Sequence, residues 1–174
     1  MIKVVVSACL LGSPVRYDGR DKKSSHPVLQ RWLDEGRIVS VCPEMLGGLG
    51  TPRPPAEIAG GRVVTPEGTN VTDAFESGAR AVVEQANTHR IRVAILKEGS
   101  PSCGSTFVYD GTFTKTKVAG EGITTTALRN LGIVVFSEEQ LDAAGEYVLS
   151  LERGVSESNG DARGIRDKSL PLLH

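Results

Sequence analysis

The sequence predicts an α/β protein with three layers: a mostly parallel sheet of about four strands, helices on both faces, and a small β-hairpin. Continuous apolar runs rich in β-branched residues recur along the chain, and such runs are typical of buried parallel strands. Segments whose apolar residues repeat at helical spacing separate these runs. Strands that alternate with helices build βαβ units, and such units form parallel sheets.

Each predicted element of the sheet and its helices rests on a local pattern. The apolar runs that predict strands are residues 2–8, 37–41, 91–96 and 133–136. Helical spacing predicts helices over residues 26–36, 72–88 and 124–132. A last helix is predicted to begin at Ser137, because Gln140 three residues later completes a capping box.

The remaining segments are predicted to form a hairpin, a long loop and a tail. Asp110-Gly111 lies between two β-prone runs and predicts a hairpin turn. Residues 43–61 contain so many glycines and prolines that we expect a functional loop without helix or strand. We expect residues 1–153 to form a single α/β domain, followed by a polar, flexible tail over residues 154–174.

Composition gives no sign of a nucleic-acid or membrane partner, although a local basic groove stays possible. The 174 residues include 20 basic and 21 acidic ones, for a formal net charge of −1. That balance gives no electrostatic footprint for nucleic acid or an anionic membrane. No targeting segment is visible and no apolar run is long enough to span a bilayer. We therefore expect a cytoplasmic protein without a membrane partner.

Three cysteines carry the strongest functional signal in the sequence. Cys9, Cys42 and Cys103 each follow the carboxyl end of a different predicted strand. Parallel α/β sheets bind their ligands beyond the carboxyl ends of the strands. Free cysteine is also commonly just a small buried residue. The shared position favours a common site, because chance burial more often places cysteines inside strands or helices.

Three converging thiols suit a soft metal centre. Thiolates select zinc, copper(I) or iron–sulfur clusters. Structural zinc needs a fourth ligand, but His26 and His89 lie at predicted helix ends and are better explained as structural or surface histidines. A cluster held by three thiolates leaves one iron free to act as a Lewis acid toward a sulfur-bearing ligand. The cysteines alone do not distinguish cluster from zinc.

Other candidate site residues surround the cysteines. Glu44 lies two residues after Cys42 and is a candidate general acid or base. Ser100 and Ser102 place hydroxyls beside Cys103. The glycine-rich segments lack the lysine of a Walker loop and the pattern of a dinucleotide-binding turn.

Residues in neighbouring loops are candidates for binding the substrate. Arg16, Tyr17 and Ser102 are the candidate substrate contacts. Arg53 and Lys97 offer further positive charge to an anionic substrate, although single surface cations are more commonly only solvated.

Three ordered blocks resemble a known family. The segments SACLLGSPVRYDG, VCPEMLGGLGTPRPPAEI and LKEGSPSCGS are similar to the signature blocks of the bacterial thiouracil desulfidase family, formerly a domain of unknown function. The resemblance covers roughly residues 1 to 150. Three blocks in the correct order are far more specific than any single motif.

The resemblance implies a cofactor, a reaction and a set of site residues. It implies a [4Fe-4S] cluster held by Cys9, Cys42 and Cys103, with the fourth iron open to the substrate sulfur. It implies that Glu44 and Ser100 form the catalytic acid/base pair. The implied reaction is non-redox: 2-thiouracil and water give uracil and hydrogen sulfide.

The resemblance is compatible with more than one physiological substrate. Relatives fused to a rhodanese domain act on thiolated tRNA, whereas this short form without a basic surplus favours a small thiolated pyrimidine base or nucleotide. Desulfuration of 2-thiouridine in tRNA is the first alternative. A non-catalytic zinc- or iron-binding module and a sulfur carrier with one nucleophilic cysteine are the others.

Overall fold

The computed structural model describes residues 1–161. Its strands are β1 (Val4–Ser7), β2 (Ile38–Val41), β3 (Glu57–Ala59), β4 (Arg62–Val64), β5 (Val93–Leu96), β6 (Phe107–Tyr109), β7 (Lys117–Ala119) and β8 (Val134–Ser137). Its α-helices are α1 (Pro27–Asp34), α2 (Pro43–Leu46), α3 (Thr72–Thr88), α4 (Ile123–Asn130) and α5 (Leu141–Asp161). Short 3₁₀ turns follow β1 and β8.

A four-stranded parallel sheet forms the centre of the fold. The strand order is β2-β1-β5-β8, and β1 pairs with both β2 and β5. The chain passes from β1 to β2 on one side and then crosses to β5 on the other. The strand order therefore reverses at β1, which is where ligands bind in open α/β sheets.

Helices cover both faces of this sheet. On one face, Val4 and Val6 pack with residues of α1 and α5, including Trp32 and Ala144. On the other face, Val5 packs with residues of α3 and α4. Alternate residues of one strand thus serve two separate apolar layers, because successive side chains of a strand point to opposite faces. The predicted α/β class is confirmed.

The glycine- and proline-rich segment 43–61 differs from the prediction. It contains the helix α2 and the strand β3, so the expectation of a loop without helix or strand was wrong. Pro43 occupies the first turn of α2, where its missing N–H and fixed φ are compatible with a helix. β3 pairs antiparallel with β4 to form a small hairpin.

The second hairpin has a longer connecting loop than the predicted turn at Asp110-Gly111. β6 pairs with β7, so the connecting loop spans residues 110–116 and is wider than a turn at Asp110-Gly111. The side chains of Thr112, Thr114 and Thr116 bond to one another within this loop. The Thr112 amide donates to Asp110 Oδ1 at 3.0 Å, a local bond that competes with strand pairing immediately after β6.

Two helix ends follow the sequence pattern, and one helix is longer than predicted. Ser137 and Gln140 form the predicted capping box. His26 caps α1 by accepting a hydrogen bond from the Val28 amide. α5 continues to Asp161, past the predicted start of the polar tail at residue 154, because adding residues to an existing helix is easier than starting one. Residues 162–174 of the predicted tail lie outside the described part.

Close packing of two glycines holds α2 against α3. A Cβ added to Gly78 would lie 1.9 Å from the Pro43 carbonyl oxygen, and one added to Gly47 would lie 2.0 Å from the Ala74 carbonyl oxygen. Only glycine permits this approach of the two backbones. The contact fixes the position of α2, which directly follows Cys42.

We expect Gly78→Ala to destabilise the protein by about 2 kcal/mol, because the added methyl group forces α2 away from α3. Urea denaturation would measure the loss. Gly154→Ala is the matched control, since Gly154 lies on a helix and a Cβ there meets no atom within 4 Å. Equal stability of the two variants would show that the glycine contact does not hold α2.

Candidate active site

Three strand ends deliver one cysteine each to the same cavity. Cys9 lies in the 3₁₀ turn after β1, and Cys42 is the residue between β2 and α2. Cys103 lies in the loop that follows β5. All three line one cavity of about 380 Å³ at the carboxyl edge of the sheet. The structure thus brings together the thiols that the sequence places far apart.

The three thiols are free, and two of them are buried. Cys9 and Cys103 are buried and Cys42 is half-buried. Burial raises the pKa of Cys9 to about 11 and also raises the pKa of Cys42 and of Cys103. A thiolate at such a position needs a compensating positive charge, which a bound metal centre supplies.

The three thiols are a donor set of the kind that soft metal centres use. Within residues 1–161, no group of three or more His, Cys, Asp or Glu is placed to ligate one metal ion. Thiolates are the ligands of iron–sulfur clusters, so the donor set and the shared cavity fit a cluster.

Glu98 organises the loop that carries Cys103. Its side chain is 5% exposed, and it accepts hydrogen bonds from the backbone amides of Ser105 and Thr106 at 2.7 and 3.0 Å. The hydroxyls of the same two residues donate to its other oxygen, both at 2.9 Å. Burial alone would raise the pKa of Glu98, but these bonds lower it to about 2.

Ser100 connects the cysteine loop to Glu44. The Ser100 Oγ accepts hydrogen bonds from the amides of Ser102 and Cys103 at 3.0 and 3.2 Å. Its own hydroxyl donates to Glu44 Oε1 at 3.4 Å. The two amides orient the hydroxyl toward the carboxylate, so a proton can pass between these two side chains.

Arg53 holds the other oxygen of Glu44. Its Nε donates to Glu44 Oε2 at 2.7 Å, and its Nη2 lies 2.5 Å from the same oxygen. Nη2 also donates to the Val15 carbonyl at 2.9 Å, and Nη1 donates to the Gly50 carbonyl at 3.0 Å. With its side chain only 8% exposed, Arg53 positions Glu44 rather than offering a free charge to an anionic substrate. The sequence pattern identified Arg53 but not this role.

The remaining predicted site residues occupy different positions. Arg16 and Tyr17 line the cavity, and Tyr17 is 42% exposed at its edge. Lys97 also lines it and forms an ion pair with Glu138 at 2.5 Å. Ser102 is fully buried, and its hydroxyl bonds Thr124 Oγ1 at 2.8 Å instead of lining the cavity. This placement gives no support to a substrate contact by Ser102.

The chain matches a known protein family over most of its length. The fold and the site are those of an α/β enzyme whose cysteines meet at the reversal of strand order. The sequence profile of the 2-thiouracil desulfurase family matches residues 4–140. The chain therefore belongs to the 2-thiouracil desulfurase family, whose members cleave a carbon–sulfur bond, and the family prediction is confirmed.

Two individual proteins are similar over most of this chain. The uncharacterized protein YbbK of Bacillus subtilis is 40% identical over 149 residues, which cover 80% of this chain and 97% of YbbK. The solved structure of the [4Fe-4S]-dependent thiouracil desulfidase TudS superposes with a TM-score of 0.84 at 51% identity. That match covers 87% of this chain and 99% of the TudS chain.

The described helices also bear on the membrane prediction. Within residues 1–161, no helix has both the length and the apolar character that a bilayer-spanning segment requires. The cytoplasmic location stays a prediction.

We expect Glu98→Gln to lower the free energy of unfolding by about 1–3 kcal/mol at neutral pH, because the hydrogen bonds to a buried carboxylate are weakened. The folded pKa of about 2 lies below the ordinary value of 4.5. The ionised carboxylate therefore stabilises the fold fully above its unfolded pKa, and this contribution is lost as the pH falls toward its folded pKa.

Urea denaturation of wild type and variant at neutral pH and again near pH ~3 would test this dependence. The difference between the two proteins should shrink in acid. Glu84→Gln, at an exposed position of α3, is the matched control and should change little at either pH. A difference of the same size at both pH values would contradict the assigned ionisation of Glu98.

Proposed function

We propose that the protein desulfurates a small thiolated pyrimidine: 2-thiouracil, or its nucleoside or nucleotide, and water give the uracil compound and hydrogen sulfide. Membership of the 2-thiouracil desulfurase family and the likeness to TudS support this reaction. The observation that carries the proposal is the shared cavity, lined by three cysteines from three strand ends together with Glu44 and Ser100.

The proposed cofactor is a [4Fe-4S] cluster held by Cys9, Cys42 and Cys103. The donor set supports it, because three thiolates bind three irons and leave the fourth without a protein ligand. When bound, the cluster supplies an iron that accepts the thiocarbonyl sulfur and polarises the carbon–sulfur bond.

Glu44 and Ser100 move the protons of the reaction. Glu44 Oε1 takes a proton from a water molecule, and the water oxygen attacks the carbon that carries sulfur. The carbon–sulfur bond then breaks, the carbonyl of uracil forms, and the sulfur leaves with two protons as hydrogen sulfide. Ser100 relays a proton to or from Glu44 across their 3.4 Å contact. Arg53 stays bonded to Glu44 Oε2, so only Oε1 is available to accept or donate the proton.

The cavity supports a small substrate. Its volume of about 380 Å³ lies at the lower end of the range for small-molecule sites. Arg16 and Tyr17 at its lining are the proposed contacts to the substrate. Assays of free 2-thiouracil, thiouridine monophosphate and thiolated tRNA in parallel would separate the substrates, and the tRNA alternative predicts that only the last is turned over.

We expect Cys9→Ser, Cys42→Ser and Cys103→Ser each to lose the broad visible absorption of a cluster after anaerobic reconstitution. Sulfide release from 2-thiouracil should fall in all three variants together, because each thiolate holds a different iron. Iron content, acid-labile sulfide and sulfide release would be measured beside wild type. A sulfur carrier predicts the opposite pattern, in which a single cysteine abolishes activity and the other two variants stay active.

We expect Glu44→Gln to keep the visible absorption of wild type while kcat for 2-thiouracil falls at least ~10²-fold, because an amide does not transfer the proton. The Glu84→Gln variant serves as the control and should keep the wild-type rate. Retention of kcat within about twofold in Glu44→Gln would exclude Glu44 from proton transfer.

A further inference from the structure

Three carboxylates line the cavity, and two of them are already engaged. They are Glu44, Glu57 and Glu98. Glu98 has both oxygens occupied by the loop of Cys103. Glu44 has Oε2 occupied by Arg53 and Oε1 in contact with Ser100. Glu57 differs from both.

Glu57 has one fixed oxygen and one free oxygen. Its side chain is only 9% exposed, and Oε2 accepts hydrogen bonds from the amides of Gly111 and Phe113 at 2.9 and 3.0 Å. None of the residues in the described part donates a hydrogen bond to Oε1. No side-chain oxygen or nitrogen in that part is both fully enclosed and unbonded, so Oε1 is open to solvent. Glu57 is also one of the residues that line the cavity.

The free oxygen of Glu57 is held in place, and it is the one carboxylate oxygen among Glu44, Glu57 and Glu98 that accepts no hydrogen bond within the described residues. The two hydrogen bonds from backbone amides connect Glu57 in β3 to the loop after β6. The carboxylate cannot rotate away without breaking both of them. The lining also contains Arg16, Lys97 and Lys115, whose charged groups only donate. When a ligand displaces water from this cavity, an acceptor left without a partner is unfavourable unless the ligand supplies a donor.

A uracil-type ring supplies that donor. It presents carbonyl or thiocarbonyl acceptors together with ring N–H donors. N1 carries the sugar in a nucleoside, so N3–H is the ring donor that the base, nucleoside and nucleotide share. A cytosine-type ring has an unprotonated N3 in the same position, and two acceptors facing each other repel.

We infer that Glu57 Oε1 accepts a hydrogen bond from N3–H of the pyrimidine and makes Glu57 a substrate-recognition residue. This inference rests on the proposed function. Glu57 selects uracil-type rings over N3-methylated and cytosine-type rings, because a site built to bond an N–H rejects a ligand that lacks it.

Calorimetric titration of the anaerobically reconstituted full chain with uracil, 3-methyluracil and cytosine tests the inference. Wild type should bind uracil about tenfold more tightly than either of the other two ligands. Glu57→Gln should weaken uracil binding about tenfold and should reduce the preference over 3-methyluracil. The steric effect of the methyl group is common to both proteins, so the change in preference isolates the hydrogen bond.

Three controls keep the result interpretable. The amide introduced by Glu57→Gln retains an oxygen for the Gly111 and Phe113 amides, and the melting temperature would check that the hairpins are intact. Glu67→Gln changes an exposed carboxylate near β4 and should bind like wild type. 1-Methyluracil retains N3–H and should lose affinity in Glu57→Gln as uracil does.

The outcomes separate this inference from the proposed function when sulfide release from 2-thiouracil is assayed on the same samples. Equal affinity of wild type for uracil and 3-methyluracil overturns the inference, as does an unchanged preference in Glu57→Gln. Either result leaves desulfuration intact where sulfide is released. Glu57-dependent uracil binding without sulfide release overturns the proposed function and retains the recognition role.

Discussion

The site depends on the parallel direction of β1, β2 and β5. Parallel neighbours end at the same edge of a sheet, so residues that follow them are brought together although they are far apart in sequence. The three cysteines occupy these positions, one after each strand. An antiparallel neighbour would place its following residue at the opposite edge. The buried apolar layers on both faces stabilise this parallel sheet. The three thiols can therefore meet only because the strands run in the same direction.

The sheet brings the loops of the site close to one another. Hydrogen bonds and ion pairs of carboxylates then hold these loops in place. Glu98 holds the loop of Cys103, Arg53 holds Glu44, and Glu57 ties β3 to the loop after β6. Each of these groups is paired with amides, hydroxyls or a guanidinium, as burial of a charge requires. Since the loops are rich in glycine and proline, they have little apolar area to pack. Polar contacts therefore supply the order that a catalytic site needs.

The sequence predicts the parts of this arrangement that depend on local patterns. β-branched runs predicted the four sheet strands, and the positions after them predicted the meeting of the cysteines. The [4Fe-4S] prediction agrees with the dependence of TudS on that cluster. Contacts between distant segments were not predicted, such as the close packing of α2 on α3 that Gly47 and Gly78 permit. The Arg53–Glu44 pair and the inward-turned hydroxyl of Ser102 likewise depend on loop conformation, which residue spacing does not encode.

In the proposed site, three cysteines of one chain hold a cluster and leave one iron without a protein ligand. Diffraction from anaerobically grown crystals, with data collected at the iron absorption edge, tests it most directly. We expect an iron–sulfur cube with one iron bound to each of Cys9, Cys42 and Cys103 and a remaining iron bound by no side chain of the protein. A single ion shared by the three thiols, iron elsewhere in the molecule, or a fourth protein ligand on the cube would contradict it.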